Sequence, residues 1–463
     1  MKGYVSPILE RIRNADISGD LQAAHDFSKQ YIDGVDGMSV YPSETDIAAL
    51  NVFDEELNEN PVSTAEILEQ LHRYGSKGTV AQTGRRYFGF VCGGILPAAL
   101  CSKWITDAWD QNPAMFVLSP TSAVLEKVCE KWLKDLLKLP DDTVAGFVSG
   151  SSTATTCALI AARNHLLGQL GHDAAADGLA GAEQIKVIIG AQAHSTVYKA
   201  ISIAGLGYGN ITVAPVDEQG RVVASSFPEM DNKTLVVLQA GNVNSGSFDE
   251  FEPICQKARE VGAWVHVDGA FGLWAAASTK LAHLTQGMQL ADSWSVDGHK
   301  TLNAPYDNGI VLCRSKEALI QSMHMTGSYI QLSGDKRDSM MYTMEMSRRA
   351  RAADLWAVLK SLGKQGVAEL VEELNAKAVY FAEGLKEKGF EILNDVVFNQ
   401  VVVHYIDDQK TEKLIADIQK SGVLWLGGSK WRGKTVMRIS VCSYKTTYED
   451  VDTCVEEMFR LSK

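Results

Sequence analysis

The sequence predicts an α/β protein built on a mostly parallel sheet covered by helices on both faces, and three observations predict it. Between about residues 81 and 346, short apolar runs alternate with amphipathic helical stretches. The runs IKVIIG, TLVVLQAG and AWVHVDGA are almost continuously apolar, as strands buried on both faces must be. Several runs end in Gly, Ser or Asp just before a helical pattern or a turn, and in such sheets ligands collect at the carboxyl ends of the strands.

Residues 1–80 read as a helical arm of segments joined by polar links. Ser63 and Glu66 form a capping box that opens the helix AEILEQLHRYG. The domain spanning 81–346 follows, with strands in GFVSG, IKVIIG, NITVAPV, TLVVLQAG, AWVHVDGA and DSWSVDG. Helices are expected in STATTCALIAARNHLLGQL, HSTVYKAISIAG and FEPICQKAREVG. Residues 347–463 form a smaller α/β domain, entered by the helix RARAADLWAVLKSLG and continued by EILNDVVFNQVVVHYI, TEKLIADIQKSG, KTVMRISVCSY and EDVDTCVEEMFRLS. No internal repeat or low-complexity tract interrupts this order.

With 46% apolar residues in 463, the chain can bury a large core. No apolar run approaches the roughly 20 residues that span a bilayer, and the first residues lack the apolar core of a secretion signal, so a cytoplasmic protein with no membrane association is expected. The eight cysteines include no CxxC pair, as in reduced, mostly buried thiols, and the ten histidines show no metal-ligand spacing. A formal charge of −13, with no basic cluster beyond short groups such as SRRAR, excludes a broad nucleic-acid footprint. The expected partner is a small molecule.

Four segments place chemistry at the predicted sheet edge. In GFVSGSSTA a strand stops at Gly150 and a helix begins, so backbone N–H groups and the hydroxyls of Ser151 and Ser152 suit an anion, although a serine there can equally be a plain helix cap. The same run approximates a GxSxG nucleophile elbow. That rival reading makes the protein a serine hydrolase with Ser152, Asp268 and His299, and Ala154 stands where the motif needs its second glycine. Asp268 ends a strand among small residues, where a carboxylate needs a cation or donors, and His194 follows a buried strand. Lys300 closes the set. A solvated lysine titrates near 10.4, and burial or neighbouring cations can lower that by up to roughly 3 to 5 units, freeing the amine to bond a carbonyl. Pyridoxal 5'-phosphate calls for all of these features: an anion cradle, a lysine for its aldehyde, a cover for its ring and a carboxylate for its pyridine nitrogen.

The order GSSTA, QAHSTV, HVDGAFG, DGHK resembles the group II pyridoxal-phosphate-dependent amino-acid decarboxylases of the aspartate aminotransferase fold, fold type I. RYFGFV, SPTSAVLEKVCEKWLKDLLKLP and SRRARAADLWAVLKSLGKQGV extend the likeness over nearly the whole chain. The resemblance implies a seven-stranded large-domain sheet, a homodimer, and α-decarboxylation of an L-amino acid to an amine and carbon dioxide. An aminotransferase, a carbon–carbon lyase, an aldehyde synthase or a catalytically silent relative would share the same cradle. It further implies that Lys300 forms the Schiff base, Asp268 pairs with the pyridine nitrogen and His194 stacks on the ring. Ser151 and Ser152 match the phosphate-binding pair, Asn242 and His299 match positions lining the cofactor, and Ala270 matches a small residue beneath the ring. Tyr329, in TGSYIQLSGDKRDSMM, matches a loop tyrosine that reprotonates the carbanion. Three departures stand out. Asp297 replaces a neutral residue near the phosphate, Asn242 replaces a threonine, and Asn112, Pro113 and Ala114 are smaller or more polar than an aromatic substrate's pocket would suggest.

Overall fold

The computed structural model describes residues 5–324, 327 and 332–463. Its main sheet has seven strands: β1 (Val144–Val148), β2 (Lys186–Gly190), β3 (Thr212–Ala214), β4 (Thr234–Gln239), β5 (Trp264–Asp268), β6 (Ser293–Asp297) and β7 (Gly309–Cys313), in the order β1-β7-β6-β5-β4-β2-β3. Strands β2 to β6 pair in parallel, and β7 runs antiparallel between β6 and β1. Strand β7, GIVLC, is absent from the strands read from the sequence. It returns directly from β6 through residues 298–308 with no helix between, so the strand–helix alternation that marked the other strands is missing. Strands β1 and β4 to β7 are buried at every position, which accounts for their continuous apolar runs.

Helices cover both faces. Ser151–Gln169 crosses one face and is apolar nearly all round, with ten buried residues. Phe251–Val261 covers the other with a one-sided stripe and ends at Gly262, whose φ of 77° is the left-handed cap that glycine takes without strain. In the arm, Ser63 and Glu66 form the predicted capping box.

A second sheet, antiparallel, follows: β8 (Glu391–Ile392), β9 (Gln400–His404), β10 (Gly427–Trp431) and β11 (Lys434–Ser440), in the order β10-β11-β9-β8. The helical run Arg351–Glu387, broken at Gly363, joins the two sheets: Leu355, Val358, Leu359, Val367 and Val371 pack in the core of the first, and Leu370, Leu374, Phe381 and Leu385 in that of the second. The segment after the arm also ties them together. Phe88 donates its N–H to Trp425 O at 2.8 Å and accepts from Ser440 N at 3.0 Å, while Val91 and Leu96 enter the large core. Residues 88–96 are thereby drawn across the carboxyl edge of the main sheet.

Candidate active site

A cavity of about 450 Å³ opens at that edge, within the range typical of small-molecule sites. Its walls include Ser151, Ser152, His194, Asp268, Ala270, His299 and Lys300, so seven of the nine residues singled out from sequence meet in one place. Tyr329 lies outside the described residues. Asn242 is a correction: its side chain turns into the following turn, where Oδ1 accepts from Asn244 N at 2.9 Å and Ser245 N at 3.2 Å, and the neighbouring Gly241 and Val243 line the cavity instead. Asn112 and Ala114 are also elsewhere. Asn112 Oδ1 accepts from Ala114 N, and Ala114 is buried beside Met115 and Met340.

Local sequence explains each placement. Gly150 closes β1 in an extended conformation and the helix starts at Ser151, turning its first N–H groups toward the cavity, where that of Ser151 is taken by Asp297 Oδ1 at 2.6 Å. Gly309 is required beside it, because a Cβ there would lie 2.3 Å from the Cα of Gly150. Asp268 is the last residue of β5 and is buried, and among the described residues only Ala270 N at 3.3 Å and Ser295 Oγ at 3.5 Å donate to it. Burial pushes this carboxyl above its usual range, against the pull of His194 and Lys300. His194 caps the helix Ser195–Ile203: Thr196 N donates to Nδ1 at 3.2 Å, so the neutral ring carries its proton on Nε2. Desolvation lowers the pKa of this imidazole, which agrees with a neutral ring.

Lys300 stands on the turn after β6. Its backbone is held from above by Gly93, where a Cβ would meet Lys300 O at 2.2 Å. Asn303 locks the same turn: Oδ1 accepts from Gly94 N at 2.7 Å and Tyr444 N at 3.0 Å, and Nδ2 donates to Cys442 O at 2.9 Å. His299 accepts from Asn308 N at Nδ1 (3.0 Å), stacks on Tyr306 and directs Nε2 toward Asp297, 3.6 Å away. Burial lowers its pKa despite that neighbour. The hydrolase triad is therefore not assembled, because both His299 nitrogens are engaged away from Ser152 and Asp268.

Sequence reasoning missed several wall residues. Arg438, on β11, donates to Val243 O at 3.1 Å, has no carboxylate partner among the described residues, and is pushed below the usual arginine range by burial. A charged residue inside the apolar run KTVMRISVC was the available signal. Gln239 Nε2 is buried without a partner among the described residues, and Phe90 forms an exposed aromatic rim. Phe90 and Val91 have φ of 52° and 58°, strained values for side-chain-bearing residues, at the site itself.

The family model for the pyridoxal-dependent decarboxylase conserved domain matches residues 48–406. The chain belongs to this family, the group II pyridoxal-phosphate-dependent decarboxylases. It is similar to an aromatic-L-amino-acid decarboxylase of Bacillus atrophaeus, 26% identical over 424 residues, covering 87% of this chain and 86% of that one. An acidic amino acid decarboxylase of Mus musculus is 25% identical over 410 residues, covering 82% and 74%. Among solved structures, Oryza sativa TDC with PLP and tryptamine superposes with a TM-score of 0.87 at 21% identity, covering 99% of both chains, and shares the fold. The protein is thus a pyridoxal-phosphate-dependent amino-acid decarboxylase, a carboxy-lyase, and nothing supports the serine hydrolase alternative.

The residues of this decarboxylase fit the cofactor. Asp268 is a buried carboxylate short of donors, as a pyridinium N–H requires. The helix start at Ser151 and the hydroxyls of Ser151 and Ser152 suit a phosphate, and Lys300 reaches the same cavity.

Proposed function

We propose that Lys300 is the Schiff-base residue of this decarboxylase, that Asp268 holds the pyridine nitrogen, and that Ser151 and Ser152 take the phosphate. Ala270 and His194 would cover the ring and His299 would border the cofactor, all three lining the same cavity. The observation that carries this reading is the meeting, in one cavity, of Lys300, Asp268, His194 and a helix start drawn from four separate strand ends.

When bound, the cofactor supplies an aldehyde that bonds amines and a ring that draws electrons from the substrate's α-carbon. The residues of the chain do the rest. Asp268, walled from water, keeps a proton on the nitrogen it faces. His194, with Nε2–H free of the Thr196 contact, offers a donor beside the reacting atoms. Arg438, a cation without a carboxylate partner among the described residues, would bind a carboxylate of the incoming amino acid and so orient its α-carbon. Phe90 and Val91 support a substrate with a bulky apolar or aromatic side chain. Tyr329 keeps its proposed role as the acid that reprotonates the α-carbon.

A homodimer is part of this reading. Trp104, Ile105, Trp109, Val117 and Leu118 expose apolar surface near one another in the chain, and the arm exposes Ile8, Leu9 and Ile12, as a surface covered by a second copy would. A cytoplasmic location is supported by eight free cysteines, seven of them buried. Among the described residues, no helix is long and apolar enough to cross a membrane. We retain the division into an arm (1–80), a cofactor-binding domain (81–346) and a small domain (347–463), which limited proteolysis tests.

The deciding experiment presents the purified holoenzyme with the common L-amino acids and detects products by mass spectrometry. An amine with stoichiometric carbon dioxide is expected. A keto acid or an aldehyde as main product would replace the decarboxylase reading by an aminotransferase or aldehyde synthase one. Light scattering is expected to give twice the chain mass, and a monomer would remove the dimer.

A further inference from the structure

Asp297 ends β6 inside the proposed phosphate cradle, with 1% of its surface exposed. Its Oδ1 accepts the N–H of Ser151 at 2.6 Å, at the start of the helix. Its Oδ2 lies 3.1 Å from Lys300 Nζ and 3.6 Å from His299 Nε2. One carboxylate therefore bridges the helix start, which suits the phosphate, and the amine, which suits the aldehyde. The backbone of Asp297 cannot drift: its N–H donates to Ala270 O at 2.9 Å, and its carbonyl accepts from Trp274 Nε1 at 2.9 Å. Nor can Gly150 retreat, being pressed against Gly309.

We propose that Asp297 is a built-in anion of the cofactor cradle, which occupies the Ser151 N–H and the Lys300 ammonium until the phosphate of the cofactor competes for the same place. This rests on reading Ser151 and Ser152 as the phosphate site. A phosphate monoester carries about −1.5 to −2 charges near neutrality, and a second anion at the helix N-terminus that the buried Asp297 already occupies is repelled by it. Lys300 is held by Asp297 in the same arrangement, so the charge of Asp297 also bears on the amine that would bond the aldehyde. Asp297 is thus a positioning residue that weakens cofactor retention while keeping the cradle ordered without it.

The test compares the full-length wild type with Asp297→Asn, which keeps the shape and removes the charge. Three quantities are measured at fixed ionic strength: the dissociation constant of the coenzyme from the holoenzyme, followed by imine absorbance; the affinity of the cofactor-free chain for inorganic phosphate; and the release rate of the coenzyme on dilution. Asp297→Asn is expected to bind both coenzyme and inorganic phosphate at least about tenfold more tightly and to release coenzyme more slowly. Asp297→Ser, a smaller neutral residue, is expected to shift both affinities in the same direction and stands in if the Asn variant misfolds. Unchanged or weaker phosphate affinity in a folded variant overturns the proposal. Borohydride trapping of wild type separates the two levels. If the coenzyme is fixed on Lys300 and inorganic phosphate competes with it, while the variants show no gain, only the role of Asp297 falls. If Lys300 is not modified, the reading of the site falls with it.

Discussion

Strands β5 and β6 run side by side in parallel, and each ends in a buried aspartate, Asp268 and Asp297. Asp268 has two long hydrogen bonds and a raised pKa, the condition of a carboxylate still short of a partner. Asp297 has a short bond to Ser151 N, a lysine at 3.1 Å and a histidine beyond it. The difference arises from what lies opposite each strand end. β6 is flanked by β7, which brings the Gly150 turn of β1 within reach, whereas β5 faces open cavity and His194. Two aspartates in equivalent sheet positions are therefore unequal: one awaits a cation, and the other already has one.

Removing the amine between them has the largest expected effect. Lys300→Ala should abolish turnover and the imine absorbance, and it leaves Asp297 buried without its ammonium, so thermal unfolding should also shift to lower temperature. Retained imine absorbance at wild-type strength would remove Lys300 from its role. Asp268→Asn should keep the fold and the coenzyme while lowering kcat by roughly 100- to 1,000-fold, the equivalent of about 3 to 4 kcal/mol. A variant within a factor of three of wild type would show that the end of β5 does not act on the ring.

Smaller effects sharpen the same contrast. Arg438→Gln should raise KM for the amino acid by roughly 10- to 100-fold with a lesser change in kcat, since a hydrogen bond to a charged group is worth about 1.5 to 3 kcal/mol. Equal loss in kcat alone would move Arg438 from binding to chemistry. His266, two residues before Asp268 on β5, is fully buried beside Ser293 and Ser295, and burial lowers its pKa to about 3. The unfolded chain binds a proton there below about 6.5 and the folded chain does not, so this residue removes stability as pH falls below that value. The destabilisation caused by His266→Asn should therefore be greatest above pH 7 and smaller by about 2 kcal/mol at pH 5. A pH-independent difference in denaturant midpoints would contradict this.

Much of the candidate site is legible in the sequence. GSSTA, HVDGA and DGHK each pair a strand end with small residues and one polar group, and Ser151, Asp268 and Lys300 all reach the cavity. Asn242 was not legible, because whether an asparagine caps its own turn or faces a ligand depends on a side-chain torsion that neighbouring residues do not specify. Strand β7 escaped because a direct antiparallel return carries no helix signal. Arg438 belongs to the other sheet and reaches the cavity because the two sheets are packed together, through the helix Arg351–Glu387, through Phe88 and Trp425, and through its own bond to Val243 O. Asn112, Pro113 and Ala114 read in the sequence as small or polar pocket positions, whereas Asn112 bonds Ala114 N and Ser347 Oγ and Ala114 packs with Met115 and Met340.

The sequence by itself determined the strands and helices, the caps, and which strand ends bear polar groups, since these follow from side-chain periods of two and 3.6 and from contacts a few residues apart. Only the tertiary structure decided that Asp297 takes the amide of a residue 146 positions earlier and the charge of Lys300 together. That pairing depends on strand order, on two facing glycines and on the direction of β7, which no local pattern encodes.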